Sequence, residues 1–439
     1  VTDDIFEFGD SYMPRFSARA QIWGALLSTL LSGCGSSQSS KSGADLPLEC
    51  TPVAATQSAA GYGLQPFCAP RDPGPGNIWF AASGEVLALS GYAFPPASAD
   101  DATFVDGWDV RFTHLLATFD KIQLSENPDH DIGSQLATGK LVAEASGPWA
   151  VDLNYADSSY LAGKAGAGEQ AVPIAALNAQ NRNGGGSFAT DGTRYAFGFD
   201  VIAATDQAQN VNLNSDALAD YQDMVGSGCA VLYVGVATFK GDPKVEGCVT
   251  DETKTFPRVV NFHLCFKSPT TYINCQNPDN DPAGAISDAE EHQRGIALLS
   301  NSSVMGQVTM HTDHPFWDSV LHDSPAHFDQ YAARAVDTGD GSGARVTLED
   351  TAGVDYTAYT DTRGKALSWR YCIDPPTDVH PKFTGAMSFD PHGVPTAPGS
   401  NAAKGLRDYS DFATYNQSTQ GHLNSDGLCY VQRNYPSPE

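Results

Sequence analysis

Val259-Val-Asn-Phe-His-Leu-Cys-Phe-Lys267 alternates without a break, Val260, Phe262, Leu264 and Phe266 falling on one face and Asn261, His263, Cys265 and Lys267 on the other. A side-chain period of two is that of an antiparallel strand buried on one face. Outward from it, Ile78-Trp-Phe, Glu85-Val-Leu-Ala-Leu, Trp108-Asp-Val-Arg-Phe, Ala117 to Leu124, Trp149 to Leu153, Tyr195 to Ile202 and Val231 to Phe239 read as further strands. Turn-forming Gly, Asn, Asp and Pro separate them; the chain holds 42 glycines and 27 prolines. The expectation is an all-β protein of two disulfide-stapled, β-sandwich-like domains with minor helix. The first spans 73–270. Residues 271–300, with the turn-rich Gln276-Asn-Pro-Asp-Asn-Asp-Pro-Ala-Gly284, form a linker. A second β-rich unit, 301–439, contains Val308-Thr-Met-His311, Arg345-Val-Thr-Leu and Ala366 to Cys372. Helix is expected at Asn214 to Met224, and again from Ser324, where Ser324 caps and Pro325 starts a run through Ala335.

The N-terminal region has another character. Arg15 and Arg19 precede the apolar run Ile22 to Leu31, too short to span a bilayer as a helix, and Leu31-Ser32-Gly33-Cys34 follows. That tetrapeptide resembles the lipobox of bacterial lipoproteins. The resemblance implies cleavage before Cys34, lipidation of Cys34, and a periplasmic or outer-membrane-surface protein of the bacterial cell envelope held to the membrane by lipid. On this reading 1–34 are a mistranslated leader plus signal peptide, the leader being the acidic stretch ahead of Met13. Residues 35–72 are then a flexible tether with a small cysteine loop.

Nine cysteines less Cys34 leave eight, an even set suited to an oxidising compartment. Order along the chain suggests Cys50 with Cys68, Cys229 with Cys248, Cys265 with Cys275, and Cys372 with Cys429. None of these cysteines is spaced C-x-x-C, which argues against a zinc ribbon, a thioredoxin-type redox pair and covalent haem. A net charge of -27, from 25 basic and 52 acidic residues, argues against nucleic-acid binding. It offers no clue to a protein partner in the envelope.

Chemistry concentrates in Met310-His311-Thr-Asp313-His314-Pro-Phe-Trp-Asp318-Ser-Val-Leu-His322-Asp323-Ser-Pro-Ala-His327-Phe-Asp329, where four of eleven histidines each lie close to an aspartate. Imidazole is a ligand for zinc and copper, and a nearby carboxylate either binds the ion or orients the ring. His311 ends a strand and His314 follows a turn later, so the two can converge. The expected ligands are His311, His314 and His322, with Asp313, Asp323 or His327 as a further ligand or orienting group, for zinc or copper. The same residues packed around Phe316 and Trp317 would also make a structural turn. Asn277, Asp279 and Asp281 give a weaker calcium signal, because Gly284 comes too late for an EF-hand. No nucleophile elbow or phosphate loop is present, so catalysis could enter only as metal-dependent hydrolysis or oxidation at the histidines.

The order of Trp108-Asp-Val-Arg-Phe, Phe119-Asp-Lys-Ile-Gln-Leu and Val151-Asp-Leu resembles the β-domains of copper-binding periplasmic proteins associated with methanobactin systems. That resemblance implies copper ahead of zinc and transfers no individual residue. The function expected is transition-metal binding by an anchored lipoprotein. The alternatives are a structural or adhesive surface lipoprotein without metal, and a metal-dependent hydrolase or oxidase.

Overall fold

In the computed structural model the described residues are 64–70, 73–177, 188–321, 324–337, 339, 341–397 and 405–438, with the backbone of 51–52. Strand outweighs helix, 34% against 12%, and the protein is all-β as the alternation requires. Val260, Phe262, Leu264 and Phe266 are all buried, at 0 to 1% exposure. Their strand, Val259–Phe266, pairs antiparallel with Val231–Phe239, which pairs antiparallel with Trp108–Ser125. The two stretches read separately at Trp108 and Ala117 are one strand of 18 residues. Its second half pairs with Asp191–Val201, and the sheet continues through Thr270–Ile273 to Tyr430–Arg433.

A second sheet runs Gly427–Leu428, Gly421–Leu423, Val304–Met310, Ile78–Ser83, Gln170–Leu177, Leu161–Ala162. Its centre is the parallel pairing of Val304–Met310 with Ile78–Ser83. Gly306 lies against Ile296, Phe197 and Phe80, where a Cβ would come within 2.9 Å of Ile296 Cδ1, so the absent side chain allows close packing between sheets. Both sheets mix strands from before 270 and after 301, and Pro47–Glu439 forms one compact unit. The expected division at 271–300 is therefore corrected: Thr270–Ile273 and Ile296–Leu299 are themselves strands, and the segment runs through the core instead of linking two cores.

Local corrections follow from side-chain hydrogen bonding. Glu85–Ser90, expected as strand, is a helical turn started by Ser83 Oγ, which accepts the Glu85 N–H at 2.9 Å. The helix expected from Ser324 shrinks to Asp329–Ala332, because the Ser324 hydroxyl donates to Leu321 O and the buried Asp106 carboxylate accepts the N–H groups of Phe328 and Asp329 at 2.7 and 2.8 Å. Ala366 to Cys372 makes only isolated bridges. The helix Ser215–Ser227 forms as expected, capped by Asn214, whose side chain accepts from Asp216 N and Ala217 N. Among the described residues no helix is long and apolar enough to cross a membrane. The lipobox, Cys34 and Cys50 lie outside the described residues.

Disulfides join Cys229–Cys265, Cys248–Cys372 and Cys275–Cys429, and Cys68 is also disulfide-bonded. The pairing by order along the chain is thus overturned for six cysteines, because strand pairing brings remote segments side by side. Cys229 precedes the strand whose Leu232 sits opposite Cys265, for example. Peptide mapping of the unreduced protein is expected to recover these three pairs, and a Cys229–Cys248 peptide would contradict the fold. Replacing Cys275 and Cys429 by alanine should lower stability by about 2–4 kcal/mol, read as a fall in the unfolding midpoint.

Candidate metal centre

The central strand Val304–Met310 delivers His311 at its C-terminal end, where its N–H donates to Gln420 O at 3.0 Å. Pro315 stops further extension, and His314–Phe316 turn as a 3-10 helix. Phe316, fully buried, anchors that turn against Phe104 and Tyr331 at ring separations of 5.1 and 5.5 Å. His422 arrives on the neighbouring antiparallel strand, opposite Thr309. The three imidazoles pack together, with centroids 4.3 Å apart for His311 and His422, 5.4 Å for His311 and His314, and 5.7 Å for His314 and His422. Trp317 stacks on His314 at 3.8 Å.

Hydrogen bonds assign the ring tautomers. His422 Nδ1 faces the Gln420 carbonyl at 3.0 Å, and a carbonyl only accepts, so Nδ1 carries the proton. His314 Nδ1 faces Thr419 Oγ1 at 2.8 Å; that hydroxyl already donates to Asn416 O, so it too accepts. Both rings, when neutral, keep their lone pair on Nε2. A ring held by one nitrogen in this way is suited to ligating through the other.

His311 Nε2 meets a different set: Glu85 Oε1 at 3.5 Å, Asp426 Oδ1 at 3.8 Å and Ser425 O at 3.3 Å. Ligand atoms of Glu85, His311 and Asp426 all lie within 4.8 Å of one another. Two donors on one tetrahedral ion with bonds of ~2.0–2.1 Å are about 3.3 Å apart, so small side-chain shifts would close this set on a metal. Glu85 occupies its place at φ 61°, in the left-handed region that a non-glycine residue adopts at a cost of about 1 kcal/mol or more. Ser425, also left-handed at φ 78°, donates its hydroxyl to Glu85 Oε1 at 3.0 Å. The turn is anchored on both sides: Ser425 N donates to Thr309 Oγ1 and Gln307 N to Asn424 Oδ1.

Burial alone would lower the His311 pKa, but hydrogen bonding and charge from Glu85, with Asp313 and Asp426 adding, push it up to about 9. Burial raises the Glu85 carboxyl, and His311 and Ser425 outweigh it and hold the group below its ordinary value. Asp313 is raised by burial, with His311 and Trp317 acting against that rise.

Of the expected ligands, His311 and His314 come together, with Asp313 beside them. His327 does not join them. It is fully buried between Trp369 and Phe383, with Nε2 3.8 Å from Asp318 Oδ2. His322 and Asp323 lie outside the described residues. Glu85, Asp426 and His422 are the partners that local reading missed; only the rarity of histidine pointed to His422. In the calcium-like loop Asn277 Oδ1 and Asp279 Oδ2 accept from Asn424 Nδ2 of the hairpin, and Lys164 Nζ pairs with Asp279 at 2.7 Å. No protein-family model matches the chain, and no curated protein or solved structure is significantly similar to it.

The His311 pKa lies above its unfolded value, so the stabilisation from pairing with Glu85 is complete below about pH 6.5 and is lost as pH rises through about 9. For the metal-free protein the loss should be on the order of 3 kcal/mol across that window, measured as a falling unfolding midpoint. Glu85→Gln should flatten the slope and return the His311 titration seen by NMR toward 6.5; an unchanged titration would refute the pairing.

Proposed function

We propose that this chain is an exported lipoprotein of the bacterial envelope that binds zinc or copper(II) through Glu85, His311 and Asp426, with His314 and His422 as adjacent imidazole donors. One observation carries the metal reading: three ligand groups from segments remote in sequence converge within 4.8 Å. Mixed imidazole and carboxylate donors suit either ion. The compartment rests on the lipobox-like Leu31-Ser32-Gly33-Cys34 and on the disulfides, which persist in oxidising surroundings.

A structural reading has one observation in its favour. The Ser425 carbonyl, 3.3 Å from His311 Nε2, can accept the imidazolium proton, so the cluster can be satisfied as a hydrogen-bonded turn. A cavity of about 130 Å³ lies beside His422, lined by Trp317, Val320, Thr419 and Leu428, and its lining includes none of Glu85, His311 and Asp426.

Elemental analysis after dialysis against zinc or copper should find an equivalent of metal that is lost in Glu85→Gln/Asp426→Asn. Metal content unchanged in that variant would leave the structural reading in place. Metabolic labelling with an alkyne fatty acid should mark the wild type and not Cys34→Ser; equal labelling would remove the lipid anchor from the proposal.

A further inference from the structure

The face of the large sheet turned away from the first cluster carries a second. Val234 stands opposite His114 on one neighbouring strand and opposite His263 on the other. Residues directly opposite share a face, so the two imidazoles flank Val234. Tyr233, next in the chain, points the other way and donates its hydroxyl to Gln420, the residue that holds His311 and His422 through its carbonyl.

Over this second face lies the helix Ser215–Ser227, with Ala217, Leu218, Tyr221 and Met224 packed against Leu116, Leu232 and Cys265. That packing leaves Asp216, Asp220 and Asp223 on an adjoining stripe, at the four- and three-residue spacing that keeps them on one side of the helix. The Cys229–Cys265 disulfide ties the far end of this helix to the strand bearing His263. Helix and imidazoles are therefore held in fixed relation.

Ligand atoms of Asp220, Asp223 and His263 lie within 4.8 Å of one another. His114, only 6% exposed, adds an independent observation. Its Nδ1 bonds to Asp152 Oδ2 at 2.7 Å, and its Nε2 is aimed at Asp220 Oδ2, 4.0 Å away. Asp152 is itself pinned by the N–H groups of Leu115 and Asn154 at 3.1 and 3.0 Å. A ring fixed by a carboxylate through one nitrogen and presenting the other to acidic groups is how metal-binding histidines are held. The charges acting on Asp220 are those of His114 and His263 against Asp223 and Asp152. Among the described residues no lysine or arginine forms an ion pair with Asp216, Asp220 or Asp223.

We propose that Asp220, Asp223, His263 and His114 form a second binding site for a divalent transition-metal ion, on the face of the large sheet opposite the first cluster. Two imidazoles and two carboxylates complete a four-donor set of the kind zinc takes. Asp223 is exposed and Asp220 and His263 are half-buried, so the ion has a route in from solvent.

The test is a zinc titration of the full chain against a competing chelator, with far-UV circular dichroism to check folding. In a Glu85→Gln/Asp426→Asn background, which disables the first cluster, one equivalent of zinc should still bind. Adding Asp220→Asn and Asp223→Asn should abolish it, and zinc added before those changes should shift the His114 and His263 ring resonances. Neither aspartate belongs to the apolar face of the helix, Ala217, Leu218, Tyr221 and Met224, so the fold should survive; if the doubled variant misfolds, Asp223→Asn alone, at an exposed position, should still weaken binding at least tenfold. No binding in the Glu85→Gln/Asp426→Asn background, or binding unaffected by the aspartate changes, overturns the second site. Zinc retained in that background but lost on changing Asp220 and Asp223, with the wild type holding a single equivalent, would support the second site and defeat the first.

Discussion

The register of three strands, Trp108–Ser125, Val231–Phe239 and Val259–Phe266, is the constraint from which both histidine clusters follow. Side chains alternate across a sheet, so a slip of one residue would exchange its faces. In the observed register Tyr233, Phe112 and Phe262 turn toward Phe316 and the second sheet, with ring separations of 5.6 to 6.5 Å among them. Tyr233 thereby reaches Gln420 and steadies the backbone on which His311 and His422 depend. The same register sends His114, Val234 and His263 to the helix side. Aromatic burial on one face and the Cys229–Cys265 link on the other both resist the slip.

What could be read from the chain alone was whatever is encoded within one element. The period of two in Val259–Lys267, the Asn214 cap and the approach of His311 to His314 are all local, and the structure carries each of them. The remaining contacts are long-range. Glu85 reaches His311 only because Ile78–Ser83 lies parallel to Val304–Met310, and no residue in either strand announces that partner. Asp426 and His422 arrive on a hairpin from the far end of the chain, secured by Cys275–Cys429. Disulfide pairing by order failed for the same reason, since each observed pair joins strands or loops brought together by the sheets.

His327 shows how a local pattern is overridden. Its spacing from His322 and its neighbouring aspartates suit a ligand, yet Asp106 holds the following turn by two N–H groups, and Asp329 is committed to Arg370 and to Trp108 Nε1 at 2.7 Å. Those bonds fix the backbone so that the His327 ring lies against Trp369. Asp106, its carboxyl pushed up to about 7 by burial and by Asp329, belongs to this core network and not to the histidine cluster.

In so acidic a chain, the cation facing a carboxylate bears on whether a metal can replace it. Two deeply buried acids are answered by guanidinium, Asp329 by Arg370 and Glu290 by Arg294, where every partner is at most 3% exposed. A guanidinium does not give up its proton in the working range, so those pairs are permanent. In the two candidate sites the answering group is imidazole: His311 faces Glu85 and Asp426, and His114 faces Asp220. An imidazole can surrender its proton and offer a lone pair to a metal that also neutralises the carboxylates, so the same geometry supports an ion pair without metal and a coordination site with it.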